Sequence, residues 1–157
     1  MRKGLDLEHL LYLVCPMLGR SYDAVWDWQQ YVIDRLPPHI KAIPTLAGDD
    51  IVGEVVLKAE YDSLMNNRKA IAARAFYNVK RCDAILANLV TYDCDLQTGK
   101  SGGSIAEIAY AKCFRKPVVV VMDEGNFHDS WEVTETAGWI VDELDKGIAV
   151  VRAILTP

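Results

Sequence analysis

Residues 118–122 read VVVVM, an uninterrupted apolar run that follows Lys116 and Pro117. A run of β-branched residues without polar alternation is typical of a strand buried on both faces, in the middle of a parallel sheet. Helical spacing of apolar residues precedes it over 104–114, and a shorter helical stretch follows it over 130–137. Strands that alternate with amphipathic helices in this way predict βαβ units.

The same alternation extends along the chain in both directions. Residues 47–64 fit neither pattern, and their glycines and aspartates indicate a loop that can reach over a site. Because crossovers between parallel strands are nearly always right-handed, we predict a single α/β domain over residues 1–157, with a doubly wound, flavodoxin-like, five-stranded parallel sheet. The predicted strands are 9–15, 40–46, 83–89, 118–122 and 139–141, and the predicted helices are 21–36, 66–81, 104–114, 130–137 and 142–155.

Composition narrows the class of protein. The chain has 157 residues, of which 51% are hydrophobic and 25% charged, as in an ordinary soluble globular protein. No apolar run is long enough to span a bilayer, and residues 1–8 are charged and lack the apolar core of a signal peptide. We therefore expect a cytoplasmic protein with no membrane partner. The net charge of −5 argues against a nucleic-acid partner, because binding to a phosphate backbone relies on many lysines and arginines.

Four cysteines, Cys15, Cys82, Cys94 and Cys113, are widely scattered and form no C-x-x-C pair. This excludes the usual zinc and thioredoxin-type spacings, so we expect no metal site. Cys15 and Cys82 lie in apolar segments and are expected to be reduced core residues. Neither G-x-G-x-x-G nor a Walker A motif occurs, which argues against a dinucleotide cofactor and against nucleoside-triphosphate hydrolysis. We expect no cofactor.

The segment 101–107, SGGSIAE, lies between the third predicted strand and the next helix. One interpretation is structural: Ser104-x-x-Glu107 is a capping box, in which the serine caps the helix and the glutamate reaches back to its amide. The other is functional: the glycines, Gly103 among them, let a ligand approach the backbone, while Glu107 points from the first helical turn into a cleft. Free amides at that helix end would keep Glu107 ionised, which suits a nucleophile.

Four pieces of the chain resemble nucleoside 2-deoxyribosyltransferases, especially their phage and bacterial branch, in a superfamily shared with nucleoside-monophosphate N-glycosidases. The pieces occur in family order and span nearly the whole chain. The third piece, with its glutamate placed after the glycines, is the most specific. The four pieces are 12–17 (YLVCPM), 81–89 (RCDAILANL), 101–111 (SGGSIAEIAYA) and 124–129 (EGNFHD).

The resemblance implies exchange of nucleobases on 2′-deoxyribose through a covalent intermediate on Glu107. Its carboxylate would attack the anomeric carbon, as in a retaining glycosidase. Tyr12 would orient that carboxylate, although a strand tyrosine can equally be a core residue. The partners are then a 2′-deoxynucleoside and a free nucleobase, or a nucleotide. If water replaces the second base, the reaction is hydrolysis.

Further substrate-binding candidates lie in loops that follow the predicted strands. Asn88 either hydrogen-bonds the ligand or ties down its loop. His128 is either solvated or functional, in a region that in this family reaches into a neighbouring subunit's site. Ser101 stands where well-known members use an aspartate to bind the sugar hydroxyl, and it also resembles the N-glycosidases, which use a serine near the 5′-phosphate. The remaining candidates are Pro16, Met17, Gly103, Asp49 and Asn126.

One position departs from the family pattern. Where the family has an aspartate that helps to protonate the departing base, eight residues ahead of Asp83, this chain has Ala75. The proton must then come from elsewhere, such as water, Asp49 or Asp50. Three functions therefore remain open: deoxyribosyl transfer, hydrolysis of a nucleoside 5′-monophosphate, and nucleotide sensing without turnover. We also expect a homo-oligomer. The four tryptophans exceed what a small core needs, and they either line an oligomer interface or pack in the core.

Overall fold

The computed structural model describes residues 8–156 of the chain. The prediction that residues 1–8 carry no signal peptide falls almost entirely on residues 1–7, which lie outside the described part. The strands are β1 (His9–Val14), β2 (Ile40–Ile43), β3 (Ala84–Asn88), β4 (Val118–Val121) and β5 (Trp139–Val141). The helices are α1 (Tyr22–Ile33), α2 (Arg68–Arg81), α3 (Asp95–Thr98), α4 (Gly102–Cys113), α5 (Trp131–Thr134) and α6 (Leu144–Leu155), with a turn of 3-10 helix at Asp49–Ile51.

The five strands form one sheet in the order β2-β1-β3-β4-β5, and every neighbouring pair is parallel. This is the predicted flavodoxin-like order, so the predicted fold is confirmed. The chain leaves β1 toward β2 on one side and returns to β3 on the other. The strand order therefore reverses between β1 and β3, where sheets of this type form a crevice at the carboxyl ends of the strands.

Each face of the sheet has its own hydrophobic core. Leu11 and Leu13 of β1 pack with α1 and α6 on one face, and Tyr12 and Val14 pack with α2 and α4 on the other. Residues 118–121 divide between the two faces in the same way, which explains why that strand is apolar throughout. Helix α6 lies so close to the sheet that a Cβ at Gly147 would stand 2.8 Å from Val121. Within residues 8–156, no helix is long and apolar enough to cross a membrane.

The start of helix α4 differs from the prediction. The helix begins at Gly102, and its cap is Ser101, whose hydroxyl accepts a hydrogen bond from the Ser104 amide at 3.2 Å. The capping box built on Ser104 is therefore wrong. Glu107 lies about one and a half turns into the helix, beyond the reach of the first-turn amides.

Helix α3 lies between the predicted strand 83–89 and the predicted helix 104–114, where no helix was expected. Its first residue, Asp95, is 1% exposed and accepts a hydrogen bond of 2.7 Å from Arg20, which is 2% exposed. The Arg20 guanidinium also lies 3.9 Å from the ring centre of Tyr92. This buried ion pair joins the loop after β1 to the loop after β3, and both loops contribute to the cavity described next.

Candidate active site

A cavity of about 450 Å³ opens at the carboxyl ends of β1 and β2, beside the point where the strand order reverses. Its walls come from the loop after β1, the segment before α2, the first half of α2 and the stretch from α3 into α4. Five of the predicted site residues line it: Pro16, Met17, Ser101, Gly103 and Glu107. Ala75, which stands where the family has an aspartate, lines it as well.

Glu107 on the cavity wall is hydrogen-bonded to a buried core side chain that does not itself line the cavity. The hydroxyl of Tyr12 donates to Oε1 of Glu107 at 3.0 Å. Tyr12 is 2% exposed and Glu107 is 9% exposed. The Tyr12 ring packs in the core between the sheet, α2 and α4, while its hydroxyl reaches the carboxylate. The two interpretations of Tyr12 are therefore compatible: its ring is part of the core, and its hydroxyl contacts the carboxylate that it was expected to orient.

The ionisation of Glu107 differs from the prediction. Burial raises the pKa of Glu107 to about 7, and the hydrogen bond from Tyr12 opposes this rise without cancelling it. The expectation that helix-end amides keep this carboxyl ionised is wrong, because the side chain lies beyond the reach of the first-turn amides. At neutral pH the protonated and ionised forms of Glu107 are both populated.

Tyr12 remains a hydrogen-bond donor throughout the ordinary pH range. Burial, followed by the neighbouring charge of Glu107, raises the pKa of Tyr12 far above its usual value. Hydrogen bonds from the side chains of Thr45 and Asn78 act in the opposite direction. The backbone of Thr45 is itself held by Gln29, whose side-chain oxygen accepts from the Thr45 amide at 3.0 Å. Because the Tyr12 hydroxyl donates to Oε1 of Glu107, its proton points toward that carboxylate.

The two glycines at the start of α4 leave the backbone open to the cavity. A Cβ at Gly102 or Gly103 would meet nothing within 4 Å. Ser101 also lines the cavity, but its hydroxyl accepts from the Ser104 amide and donates to the Ser104 hydroxyl at 3.0 Å. The first task of Ser101 is therefore to cap the helix.

Three cationic side chains line the cavity, and sequence reasoning missed all of them. They are Lys58, Arg68 and Lys100. Arg68 forms an exposed ion pair of 3.1 Å with Glu60, and the Lys58 ammonium lies 5.7 Å from the ring centre of Tyr61. In the sequence these residues resemble ordinary solvated charges, and Lys58 falls in the loop that fitted neither pattern.

Four of the predicted substrate-binding residues do not line the cavity: Asp49, Asn88, Asn126 and His128. The Asn88 side chain accepts from the Val90 amide at 3.3 Å, so in this structure it ties down the loop after β3. Asp49 is exposed, and its neighbour Asp50 accepts from Asn66 at 2.8 Å. Neither aspartate is placed to protonate a base bound in the cavity.

Among the described residues that line the cavity, Glu107 is the one carboxylate. The Ala75 side of the cavity is formed by apolar neighbours on α2, Ile71 and Ala72, with Tyr110 of α4 also in the lining. In residues 8–156, no group of three or more histidines, cysteines, aspartates and glutamates is arranged to hold a metal ion. The ionisable side chains that line the cavity are the carboxylate of Glu107, the three cations, the phenol of Tyr110 and the thiol of Cys15. The phenol of Tyr12 contacts Glu107 from the core.

No protein-family model matches the sequence, and no curated protein matches it. Solved structures do match. A 2-deoxyribosyltransferase from Bacillus psychrosaccharolyticus has a TM-score of 0.60 at 14% identity, over 87% of this chain and 88% of the other. A 2-deoxyribosyltransferase from Leishmania mexicana has a TM-score of 0.61 at 13% identity, over 95% of this chain and 99% of the other. The chain has the fold of these two enzymes.

The same fold also occurs in a protein named for binding. The molybdenum cofactor binding protein from Rippkaea orientalis has a TM-score of 0.53 at 14% identity, over 95% of this chain and 98% of the other. At identities of 13–14%, these structural matches show the fold alone. The activity of this chain therefore depends on the side chains around its own cavity.

Proposed function

We propose that the protein is a nucleoside 2-deoxyribosyltransferase that exchanges nucleobases on 2′-deoxyribose, with Glu107 as its nucleophile. The observation that carries the proposal is the Tyr12–Glu107 pair, in which a buried carboxylate on the cavity wall accepts a hydrogen bond of 3.0 Å from a phenol in the core. The fold that the chain has in common with two 2-deoxyribosyltransferases supports it.

The reaction consists of two displacements at the anomeric carbon. In the first, a carboxylate oxygen of Glu107 forms a bond to C1′, the C1′–N bond breaks, and the base leaves with the bonding electrons and takes up a proton. In the second, a nitrogen of the incoming base attacks C1′, the ester bond breaks, and Glu107 is released as a carboxylate. The proton lost by the incoming base balances the proton gained by the first.

Protonation of the departing base is the unusual step in this chain. The cavity offers no second carboxylate among its described lining residues, because position 75 is alanine. In our proposal the proton comes from water or from an ammonium group of Lys58 or Lys100, both of which line the cavity. A positioned general acid is typically worth about 10²–10⁴-fold in rate, so we expect slow turnover.

A second candidate is hydrolysis of a nucleoside 5′-monophosphate, and the three cations of the cavity favour it. A phosphate carries up to two negative charges, and Lys58, Arg68 and Lys100 line the same cavity as Glu107. The chemistry at C1′ is the same, except that water attacks the glycosyl ester and no acceptor base is needed.

The test uses the purified protein and Glu107→Gln as its control. Each is incubated with deoxynucleosides, with and without a second free base, and with deoxynucleoside 5′-monophosphates, and the products are separated by chromatography. A new nucleoside that forms only when the acceptor base is present supports transfer. Free base released without an acceptor, from the monophosphate above all, supports hydrolysis. Binding with no product from the wild type would exclude both reactions and indicate a sensor.

A homo-oligomer is part of the proposal. Trp131 and Trp139 are 71% and 43% exposed, and large exposed aromatic residues are enriched in protein interfaces. Sedimentation equilibrium of the wild type and of a Trp131→Ser variant is the measurement. A wild-type protein that sediments as a monomer would exclude the proposed homo-oligomer.

A further inference from the structure

His128 is fully buried but does not line the cavity. Its Nε2 atom lies 3.1 Å from the backbone nitrogen of Ser101, the cap of helix α4. On the other side of the ring, Nδ1 lies 3.3 Å from the side-chain oxygen of Asn126. The histidine thus stands between the loop after β4 and the first residue of the segment that carries Glu107.

The partners of the ring determine its protonation. The amide of Ser101 can only donate, so Nε2 must accept and carry no proton. Asn126 presents its oxygen to the ring because its side-chain nitrogen donates to the carbonyl of Leu89 at 2.6 Å and to Asp123 at 2.6 Å. The Asn126 oxygen also accepts from the His128 amide at 2.8 Å. His128 is therefore neutral, with its proton on Nδ1.

We propose that His128 is a positioning residue for Glu107. Its neutral imidazole fixes the Ser101 amide and, through it, the start of helix α4, about one and a half turns before the carboxylate. The effect on rate rests on the proposed function, whereas the hydrogen-bonded arrangement does not. This role differs from direct substrate binding, which the sequence suggested for His128 and Asn126.

Burial, followed by the charges around His128, determines when this contact holds. The charges are the buried ion pair of Arg20 and Asp95, together with Lys100 and Asp123, and their effects on the pKa of His128 oppose one another. Burial lowers the pKa of His128, so the neutral form prevails at neutral pH. Protonation in acid would place an N–H of the ring against the N–H of Ser101 and remove the only acceptor that this amide has among the described side chains. The start of α4 would then come loose from the loop after β4.

Two variants separate positioning from a purely structural role. In His128→Gln the side-chain oxygen can still accept from Ser101 but does not titrate, and in His128→Leu the acceptor is lost. We expect His128→Leu to lower kcat on the order of tenfold with a smaller change in KM, and His128→Gln to recover most of that loss. Because the pKa of His128 lies below its ordinary value of 6.5, the wild type should lose activity more steeply than His128→Gln only in acid below that value. Equal kcat values for the Leu and Gln variants would overturn the inference.

Measurements that need no turnover keep the inference separate from the proposed function. Nitrogen-15 NMR of the imidazoles near neutral pH should show His128 with its proton on Nδ1, assigned by the signal that disappears in His128→Gln. Carbon-13 NMR should show a changed pKa of Glu107 in His128→Leu, and a value close to that of the wild type in His128→Gln. A proton on Nε2 of His128 would overturn the inference. So would the same pKa of Glu107 in the wild type, His128→Gln and His128→Leu. Absence of turnover would overturn only the proposed function.

Discussion

The hydroxyl of Tyr12 on β1 donates a hydrogen bond of 3.0 Å to Oε1 of Glu107 on α4, 95 residues later in the chain. Tyr12 is held by its backbone pairing with both β2 and β3. The orientation of the carboxylate is therefore determined by the centre of the sheet, and the helix supplies only its position. Burial, and not the helix terminus, determines the pKa of Glu107.

Replacement of Glu107 by glutamine tests the nucleophile. Glutamine keeps the shape and still accepts from Tyr12, but it cannot form the glycosyl ester, so turnover should fall at least about 10³-fold with the fold intact. Mass spectrometry after brief exposure to a 2-fluorinated deoxynucleoside should show a glycosyl adduct on the wild type only. A variant that keeps most of its activity would contradict covalent catalysis by Glu107.

The same variant should change stability in a pH-dependent way. The pKa of Glu107 is raised in the folded protein from 4.5 to about 7, so its stabilising contribution is complete below pH 4.5 and is lost as the pH rises through 7. Glu107→Gln should therefore be more stable than the wild type above pH 7, by up to about 3 kcal/mol, and similar to it in acid. Urea unfolding at several pH values measures this, with the exposed Glu124→Gln as control. A gain in stability that persists below pH 4.5 would contradict the raised pKa of Glu107.

Replacement of Tyr12 by phenylalanine should shift the pH dependence of activity. The Tyr12 hydrogen bond lowers the pKa of Glu107, so its removal raises that pKa and moves the acid limb of kcat/KM to higher pH. The loss of rate should be largest at and below neutral pH and should shrink in alkaline solution. A loss of the same size at every pH would mean that Tyr12 acts by packing alone.

The fold was predictable because its signals are local. A strand buried on both faces must be apolar throughout, as residues 118–121 are, and helical spacing of apolar residues places the helices. The start of α4 was not predictable in the same way. Ser101 and Ser104 are both good caps, and the structure selects Ser101, whose amide is also bound by His128.

The candidate site was predictable only in part. The resemblance led to Glu107, Tyr12 and the glycines, because those residues belong to a continuous motif or to a strand end. Distant pairs that the resemblance does not connect gave no signal: Arg20 and Asp95 are 75 residues apart, and His128 and Ser101 are 27 apart. The pKa of Glu107 was predicted in the wrong direction, because it depends on burial by elements that the local pattern does not show.

The cations of the cavity should distinguish a nucleotide substrate from a nucleoside. If the 5′-phosphate binds beside them, Lys58→Met and Lys100→Met should each raise KM for a deoxynucleoside 5′-monophosphate several-fold, since an exposed ion pair is worth roughly 0.2–1 kcal/mol and a less exposed one more. KM for the uncharged nucleoside should change little. Lys112→Met, an exposed lysine of α4 away from the cavity, is the matched control. Equal effects on both substrates would exclude a phosphate site here.

Replacement of Ala75 by aspartate tests the missing acid. Ala75 is half-buried on α2 and lines the cavity with Ile71 and Ala72, opposite the helix that carries Glu107. An aspartate there would be partly desolvated, which raises its pKa and favours a protonated carboxyl able to donate to a departing base. Ala75→Asp should therefore increase transfer, most clearly for bases that are poor leaving groups.

The matched control is Ala75→Asn, which has the same shape but carries no titratable proton. Only the aspartate should accelerate transfer, and its advantage should disappear as the pH rises and the new carboxyl ionises. Thermal unfolding is measured beside the rate, because an unpaired carboxylate in this half-buried position can cost several kcal/mol of stability. A stable Ala75→Asp protein that is no faster than Ala75→Asn would mean that the base is protonated by another route. Since Asp49 and Asp50 lie off the cavity, water and the ammonium groups of Lys58 and Lys100 would then be the donors to test.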